Sequence, residues 1–450
     1  MSRIVSESRA TLWLAVPIIL GQVCQVLMGV IDSVMIGQVG TVPLAASAFA
    51  NSAFFFFYVS GLGLCMPVSV LVSRAHGEGR PSECAEWFRH GVVVTFVTGV
   101  TIALAMECLG TQLARMGQPP EVVAESQPFF SLIAWSLIPA MVFQGVRQFS
   151  ESVGRPWLPM GLMLAGVGLN AALNWVLIYG NWGAPAMGLA GAGVATLVAR
   201  WVELVALYVV LRMDMAVRPN WPVRWWRRLE WARMKSLLHI GVPAAGQLFF
   251  EVGAFSVAAW MMGLLGTVPL AAHQIALSCA GSTFAVPMGL SLAVGMRVSQ
   301  AIGAGRRDTV RGIGYGALSM AWLVMGTFAL IFLFAGTSIA GLFVDDGAVV
   351  SLAGRLLAVA GLFQIFDGTQ VVGAGLLRGM SDMRVPTVIT FVAYWVVMIP
   401  LAYIWGVGGH DPLGVWGALV FGLGVSAVLL AWRFQRKTRP ASAVSGPLTS

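Results

Sequence analysis

Three carboxylates carry the chemistry open to this sequence. Asp32 (MGVIDSVMIG), Glu251 (GQLFFEVGAF) and Asp367 (LFQIFDGTQVVG) each stand alone inside a long apolar run. None has a lysine or arginine three or four positions away, the spacing at which a helix neutralises an acid with its own residues. An acid placed in hydrocarbon costs at least a few kcal/mol, so it is by default a functional-site hypothesis. Low dielectric disfavours the bare charge, and such a group would hold a proton or take a metal cation instead. That is the chemistry of a coupling site.

Each acid has polar company at helical spacing. Gln22 and Gln25 precede Asp32, Gln247 lies one turn before Glu251, and Gln364, Asp367 and Gln370 step by three. Lipid satisfies none of these groups, so the stripes must face inward and the five glutamines are candidate cavity-lining residues. Asn170 and Asn174 form an i, i+4 pair, and Thr196 is the nearest comparable hydroxyl in the following apolar run. Hard cations prefer several oxygen ligands, which Asp32, Asn170, Asn174 and Thr196 would supply if their helices converge. Hydrogen bonding between helices explains the two asparagines about as well. Arg200 and Glu203, one turn apart, are expected to neutralise each other. His273 is a candidate to line a pathway, with a satisfied polar contact the plainer reading. The 22 Met and 24 Phe residues are packing or lipid-facing for the most part, and some would suit an adaptable apolar cavity.

The elements that must hold these groups are membrane helices. Of 450 residues 58% are hydrophobic and only 10% charged, with a mean hydropathy of +0.82; a soluble chain is roughly a quarter charged. Apolar runs long enough to span a bilayer recur at about 10–36, 44–72, 91–114, 127–150, 159–181, 188–211, 237–263, 268–297, 312–335, 350–377, 386–406 and 412–433. The fold class is therefore all-α integral membrane, and short alternating β-barrel segments are missing. The net charge of +8 does not point to nucleic acid, because the basic residues crowd into alternate loops with Arg115 as the clear exception. Such a bias puts both termini in the cytoplasm and makes the span count even.

The chain is also written twice. GTVPLAA occurs at Gly40–Ala46 and again at Gly266–Ala272, Pro17 in AVPIILGQ answers Pro243 in GVPAAGQ, and VSRAHGEGR answers VSQAIGAGR. Six spans per copy insert with the same orientation, which implies two six-helix bundles related by a pseudo-twofold axis along the membrane normal. The expected lobes are 1–211 and 237–435, joined by a basic, Trp-rich cytoplasmic linker at 212–236 and followed by a disordered tail at 436–450. Prolines 17, 67, 139, 243, 287 and 400 lie within spans and predict kinks. The five cysteines have no disulfide or zinc-type spacing. No P-loop, nucleophile elbow or paired-His motif is present, so no enzyme activity and no cofactor is expected, and an ion gradient is the remaining energy source.

Together the patterns VPIILGQ...GVIDSVMIGQVGTVPLAA, GVPAAGQLFFEVGAFSVAAWMMGLLGTVPLAAHQI and FQIFDGTQVVGAGLLRGMSDMRVP resemble the multidrug and toxic compound extrusion (MATE) family, most closely its NorM-like branch. The likeness covers residues 10–435. It implies a cation-coupled antiporter in the bacterial inner membrane that exports amphipathic, often cationic compounds by alternating access, with a monomer expected. The family's coupling and drug-linked acids carry over to Asp32, Glu251 and Asp367, and its amino-terminal cation site to Asp32, Asn170, Asn174 and Thr196. Some relatives have an acid in the fifth-span cluster where this chain has Asn170 and Asn174. Glu251 with Asp367 resembles the sodium-coupled members, which would place Na+ at these two residues; proton-coupled members also exist. A lipid-linked saccharide flippase of related architecture would favour an Arg-lined cavity, and a membrane-embedded transferase would need catalytic groups in longer outer loops.

Overall fold

The computed structural model describes residues 2–115 and 119–439, and among them there is no strand. Twelve helices are long and apolar enough to cross a membrane: α1 Glu7–Gly37, α2 Thr41–Gly77, α3 Pro81–Gly110, α4 Pro120–Ser152, α5 Trp157–Tyr179, α6 Gly188–Met213, α7 Trp231–Leu265, α8 Thr267–Gly303, α9 Arg307–Ala340, α10 Gly347–Gly379, α11 Arg384–Gly408 and α12 Pro412–Lys437. All twelve expected spans are present. Most extend past the apolar runs, because polar residues at the ends continue the winding; α3 starts ten residues before 91, through SECAEWFRH. The expected tail at 436–450 begins inside α12, which runs to Lys437, and residues 440–450 lie outside the described range.

Local chemistry sets the helix ends. Asp346 accepts from the backbone N–H groups of Ala348 and Val349 at 2.8 and 3.2 Å and so caps α10; Asp411 accepts from Leu413 N–H at 3.0 Å and caps α12. The repeated GTVPLAA folds the same way twice. Gly40 and Gly266 have φ of 158° and 125°, a region that favours glycine, and their carbonyls accept from Leu44 and Leu270 at 3.3 and 3.2 Å. The prolines act unequally. Helical winding is interrupted at Met66, just before Pro67, and at Ser136, three residues before Pro139, whereas Pro17, Pro243 and Pro287 sit inside unbroken helices. Around Pro400 the helix α11 widens into two π-helical stretches, Val392–Met398 and Tyr403–Gly408.

By contacts the chain divides into two compact units: Pro17–Phe249, and a second that joins residues up to Val16 with those from Phe250 onward. The division therefore runs through α1 and α7, and the segment 212–236 belongs wholly to the first unit. Trp221 and Trp225 explain why, since they pack with Phe88, Phe149 and Tyr208 in one aromatic cluster.

Each unit holds a close helix seam built on small residues. In the second, Gly375 and Gly379 of α10 bring that backbone onto α8, where Ser291 Oγ donates to Val371 O at 2.7 Å and Ser299 Oγ to Gly379 O at 2.8 Å. In the first, α4 lies on α2 and Ser152 Oγ donates to Ser69 O at 3.2 Å. Such seams suit spans in lipid, where close backbone approach replaces the hydrophobic effect as the source of helix pairing.

Candidate functional site

In the first unit three helices bring together the four residues expected to form an oxygen cluster. Asn174 Nδ2, on α5, donates to Asp32 Oδ1 of α1 at 2.5 Å and to Asn170 Oδ1 at 3.2 Å, and Asn170 Nδ2 lies 3.5 Å from Thr196 Oγ1 of α6. Both asparagines are fully buried. With both amide protons of Asn174 used, its Oδ1 is left buried without a donor. A buried oxygen with free lone pairs beside a carboxylate is a feature that a hard cation would satisfy.

The second unit places Glu251 of α7, Asp367 and Gln370 of α10, and Tyr394 of α11 in one buried cluster. Gln370 Nε2 donates to Glu251 Oε1 at 3.3 Å, and Tyr394 OH donates to Gln370 Oε1 at 2.9 Å, which fixes which way the amide points. Asp367 lies within electrostatic reach of Glu251, and Tyr394 feels both acids. The carboxylates are 2% and 7% exposed, and among the described residues neither pairs with a lysine or arginine. Arg378, about three turns along α10 from Asp367, donates to Ser291 Oγ at 2.9 Å. Two acids without a basic partner are suited to exchange cations.

The other candidates are placed as follows. Gln22 Oε1 accepts from Arg147 at 3.3 Å, and Gln25 Nε2 donates to Tyr58 OH at 3.0 Å, so neither joins the Asp32 cluster. Gln364 Nε2 donates to Thr283 Oγ1 at 2.6 Å, one turn before Asp367, while its Oε1 stays unbonded. Gln247 is buried on α7, in the first unit, and takes no part in the Glu251 bonding. His273 is fully buried in the apolar core and accepts at Nδ1 from Trp416 Nε1 at 3.1 Å. Arg200 and Glu203 do feel each other's charge, as expected, although no direct ion-pair contact joins them among the described residues: Arg200 donates to Ser136 Oγ at 2.6 Å and stacks over Phe54, and Glu203 rests against Gly166.

Two features escape a sequence reading. Tyr394 orients Gln370, and its only sequence signal is a tyrosine inside an apolar span of a chain that has six. Arg147 and Glu151 form a buried ion pair of 2.7 Å within α4, next to Gln144, which donates to Tyr58 OH at 2.5 Å. Their i, i+4 spacing is visible in the sequence, but the expected span ends at 150, between the two residues, which leaves Glu151 outside it.

A family model described as MatE matches residues 17–176 and again 243–404, so the internal repeat of the sequence coincides with two copies of the family's unit. A probable multidrug resistance protein NorM of Rhizobium meliloti is 35% identical over 97% of this chain and 94% of its own length. Multidrug resistance protein NorM of Aliivibrio fischeri is 31% identical over 96% and 95%. Solved structures share the fold at lower identity. The eukaryotic MATE transporter AtDTX14 superposes with a TM-score of 0.87 at 21% identity, covering 97% of this chain and 99% of that one, and a mutant of the Vibrio cholerae MATE transporter VcmN with 0.89 at 18%, covering 97% and 98%. With twelve apolar helices, a duplicated family match and near full-length relatives above 30% identity, the chain is a multi-pass membrane protein that belongs to the MATE transporter family.

Proposed function

We propose that this chain is a multidrug efflux antiporter of the bacterial inner membrane, with both termini cytoplasmic, that exchanges an inward-moving Na+ or H+ for an outward-moving amphipathic, often cationic compound by alternating access. The observation that carries this reading is the cluster of Glu251 and Asp367, two buried acids served by an amide and a phenol and by no lysine or arginine among the described residues. A small cation or proton bound there removes the negative charge that holds a larger cation, so competition for one charge links the two fluxes. Asp32, Asn170, Asn174 and Thr196 supply a second place for the coupling ion. Entry of one net charge is worth about 2.3 kcal/mol per 100 mV, or roughly a 50-fold accumulation ratio for a neutral cargo, whereas one-for-one exchange with a monovalent cation draws on the ion's concentration gradient alone. The names of the NorM relatives support the substrate class.

The test is transport in sealed proteoliposomes, with sodium and pH gradients imposed separately and a fluorescent organic cation as cargo. One of the two gradients is expected to drive dye against its own gradient in the wild type and to fail in the Glu251→Gln/Asp367→Asn protein. Dye movement that ignores both gradients, or that is unchanged in the double variant, overturns the proposal.

A further inference from the structure

We infer that the segment between α6 and α7 is a binding site for anionic phospholipid headgroups, presented by a clamp that turns its backbone inward and its arginines and indole outward. The clamp is Arg89 of α3, itself 1% exposed. Its Nη1 donates to the carbonyls of Arg227 at 2.6 Å and Trp225 at 3.5 Å, and its Nη2 to that of Arg228 at 3.2 Å. Glu86 holds the guanidinium in place at 2.9 Å. The segment is pinned again where Glu230 N–H donates to His90 Nε2 at 2.9 Å, and where Arg233 bonds Glu83 at 2.7 and 3.0 Å. With the carbonyls of Trp225, Arg227 and Arg228 turned to one buried arginine and the Trp225 ring packed inward on Phe88, the neighbouring side chains project the other way. Trp226 is accordingly 100% exposed and Val223 94%, with Arg224, Arg227, Arg228 and Leu229 exposed beside them.

Charge and tethering choose the occupant. The acids of the segment are already taken: Asp214 by Arg155 at 3.0 Å and Glu230 by Arg233 at 2.8 Å. Arg212, Arg218, Arg224, Arg227 and Arg228 form no ion pair among the described residues, which leaves a surface of one sign interleaved with apolar groups. Both ends continue directly into membrane helices at Met213 and Trp231, so the surface stays at the level of the headgroups. An indole at that depth buries its ring while arginines reach phosphate, and Arg binds phosphate with two parallel hydrogen bonds. Each basic residue near an anionic leaflet contributes roughly fivefold in affinity.

The full chain in nanodiscs tests this. Phosphatidylcholine discs would carry one fifth of either brominated phosphatidylglycerol or brominated phosphatidylcholine, and the difference in quenching between wild type and Trp226→Phe isolates the one indole. Quenching of Trp226 is expected to be at least threefold stronger with the anionic lipid. The triple variant Arg224→Gln/Arg227→Gln/Arg228→Gln should lose that preference, and the triple Lys variant should keep most of it, which separates lost charge from lost fold. Equal quenching by both lipids, or a preference that survives the Gln variant, overturns the inference. Absence of quenching by either lipid overturns it too, and would turn attention to a protein partner.

Discussion

Glu251→Gln and Asp367→Asn should each leave binding of an organic cation nearly intact, while the two together should remove most of it. The acids lie within electrostatic reach of each other in one buried cluster. Two like charges about 5 Å apart at an effective dielectric near 20 repel by about 3 kcal/mol, so such a cluster carries one bare charge more readily than two. Taking away one carboxylate also takes away the opponent of the other, which then supplies the missing attraction, and the net loss should stay under about tenfold. Taking away both removes the whole attraction, about 3 kcal/mol by the same arithmetic or roughly 200-fold in Kd. Gln370 keeps an acceptor at position 251 in the glutamine variant, so the bonding through Tyr394 survives the change. Tetraphenylphosphonium binding to the four proteins in nanodiscs, by calorimetry at low sodium and fixed pH, measures the cycle, with thermal melts as the check on folding. Single losses that multiply to give the double, or a single loss as deep as the double, would refute the shared-charge argument.

Other perturbations follow from the same geometry. Asn174→Leu removes both the donor to Asp32 and the unbonded buried oxygen, and should abolish any rise in melting temperature on adding sodium; an unchanged sodium response would detach this cluster from ion binding. Gly379→Ala would set a methyl 2.4 Å from the carbonyl oxygen of Gly295, and should destabilise the protein by about 1–3 kcal/mol, seen as a lower temperature of loss in heated size-exclusion runs. Ser381→Gly should stabilise by about 1 kcal/mol, because Ser381 has φ 59° in the turn after α10 where the first copy of the repeat has Gly154 at φ 82°. Arg89→Ala should speed tryptic cleavage after Arg227 and Arg228 about tenfold by freeing their backbone; an unaltered rate would mean the clamp adds nothing to the aromatic packing.

The three acids were legible in the sequence because burial of a lone carboxylate is costly enough to stand out from any apolar run. The Asn170 and Asn174 pair was legible for a related reason, since spacing alone puts both on one face of α5. Partners were harder. The Gln22 and Gln25 stripe does turn inward, yet it meets Arg147 and Tyr58 and not Asp32. Spacing states which way a side chain points along its own helix, and only packing states what waits there. Arg200 and Glu203 share their charges as the spacing implies, yet the hydrogen bond of Arg200 goes to Ser136, at the interruption of α4, which offers a hydroxyl at 2.6 Å. The duplication was plain from GTVPLAA, while the contact division inside α1 and α7 was not, since nothing in an unbroken apolar run marks where its neighbours change.

The widened winding of α11 has a consequence for how this chain tolerates insertions and deletions. A π turn houses one residue more than α winding would, and such turns are mostly single-residue additions retained at useful places. Excising one residue from Val392–Met398 would leave a span still long enough to cross the bilayer and would let the turn tighten to α winding, so the change of facing falls on the side chains within the turn itself. Tyr394 would then leave Gln370, and Trp395 its 3.0 Å bond to the carbonyl of Phe250. A homologue one codon shorter here would align almost perfectly by hydropathy and still lack the phenol that aims the amide at Glu251.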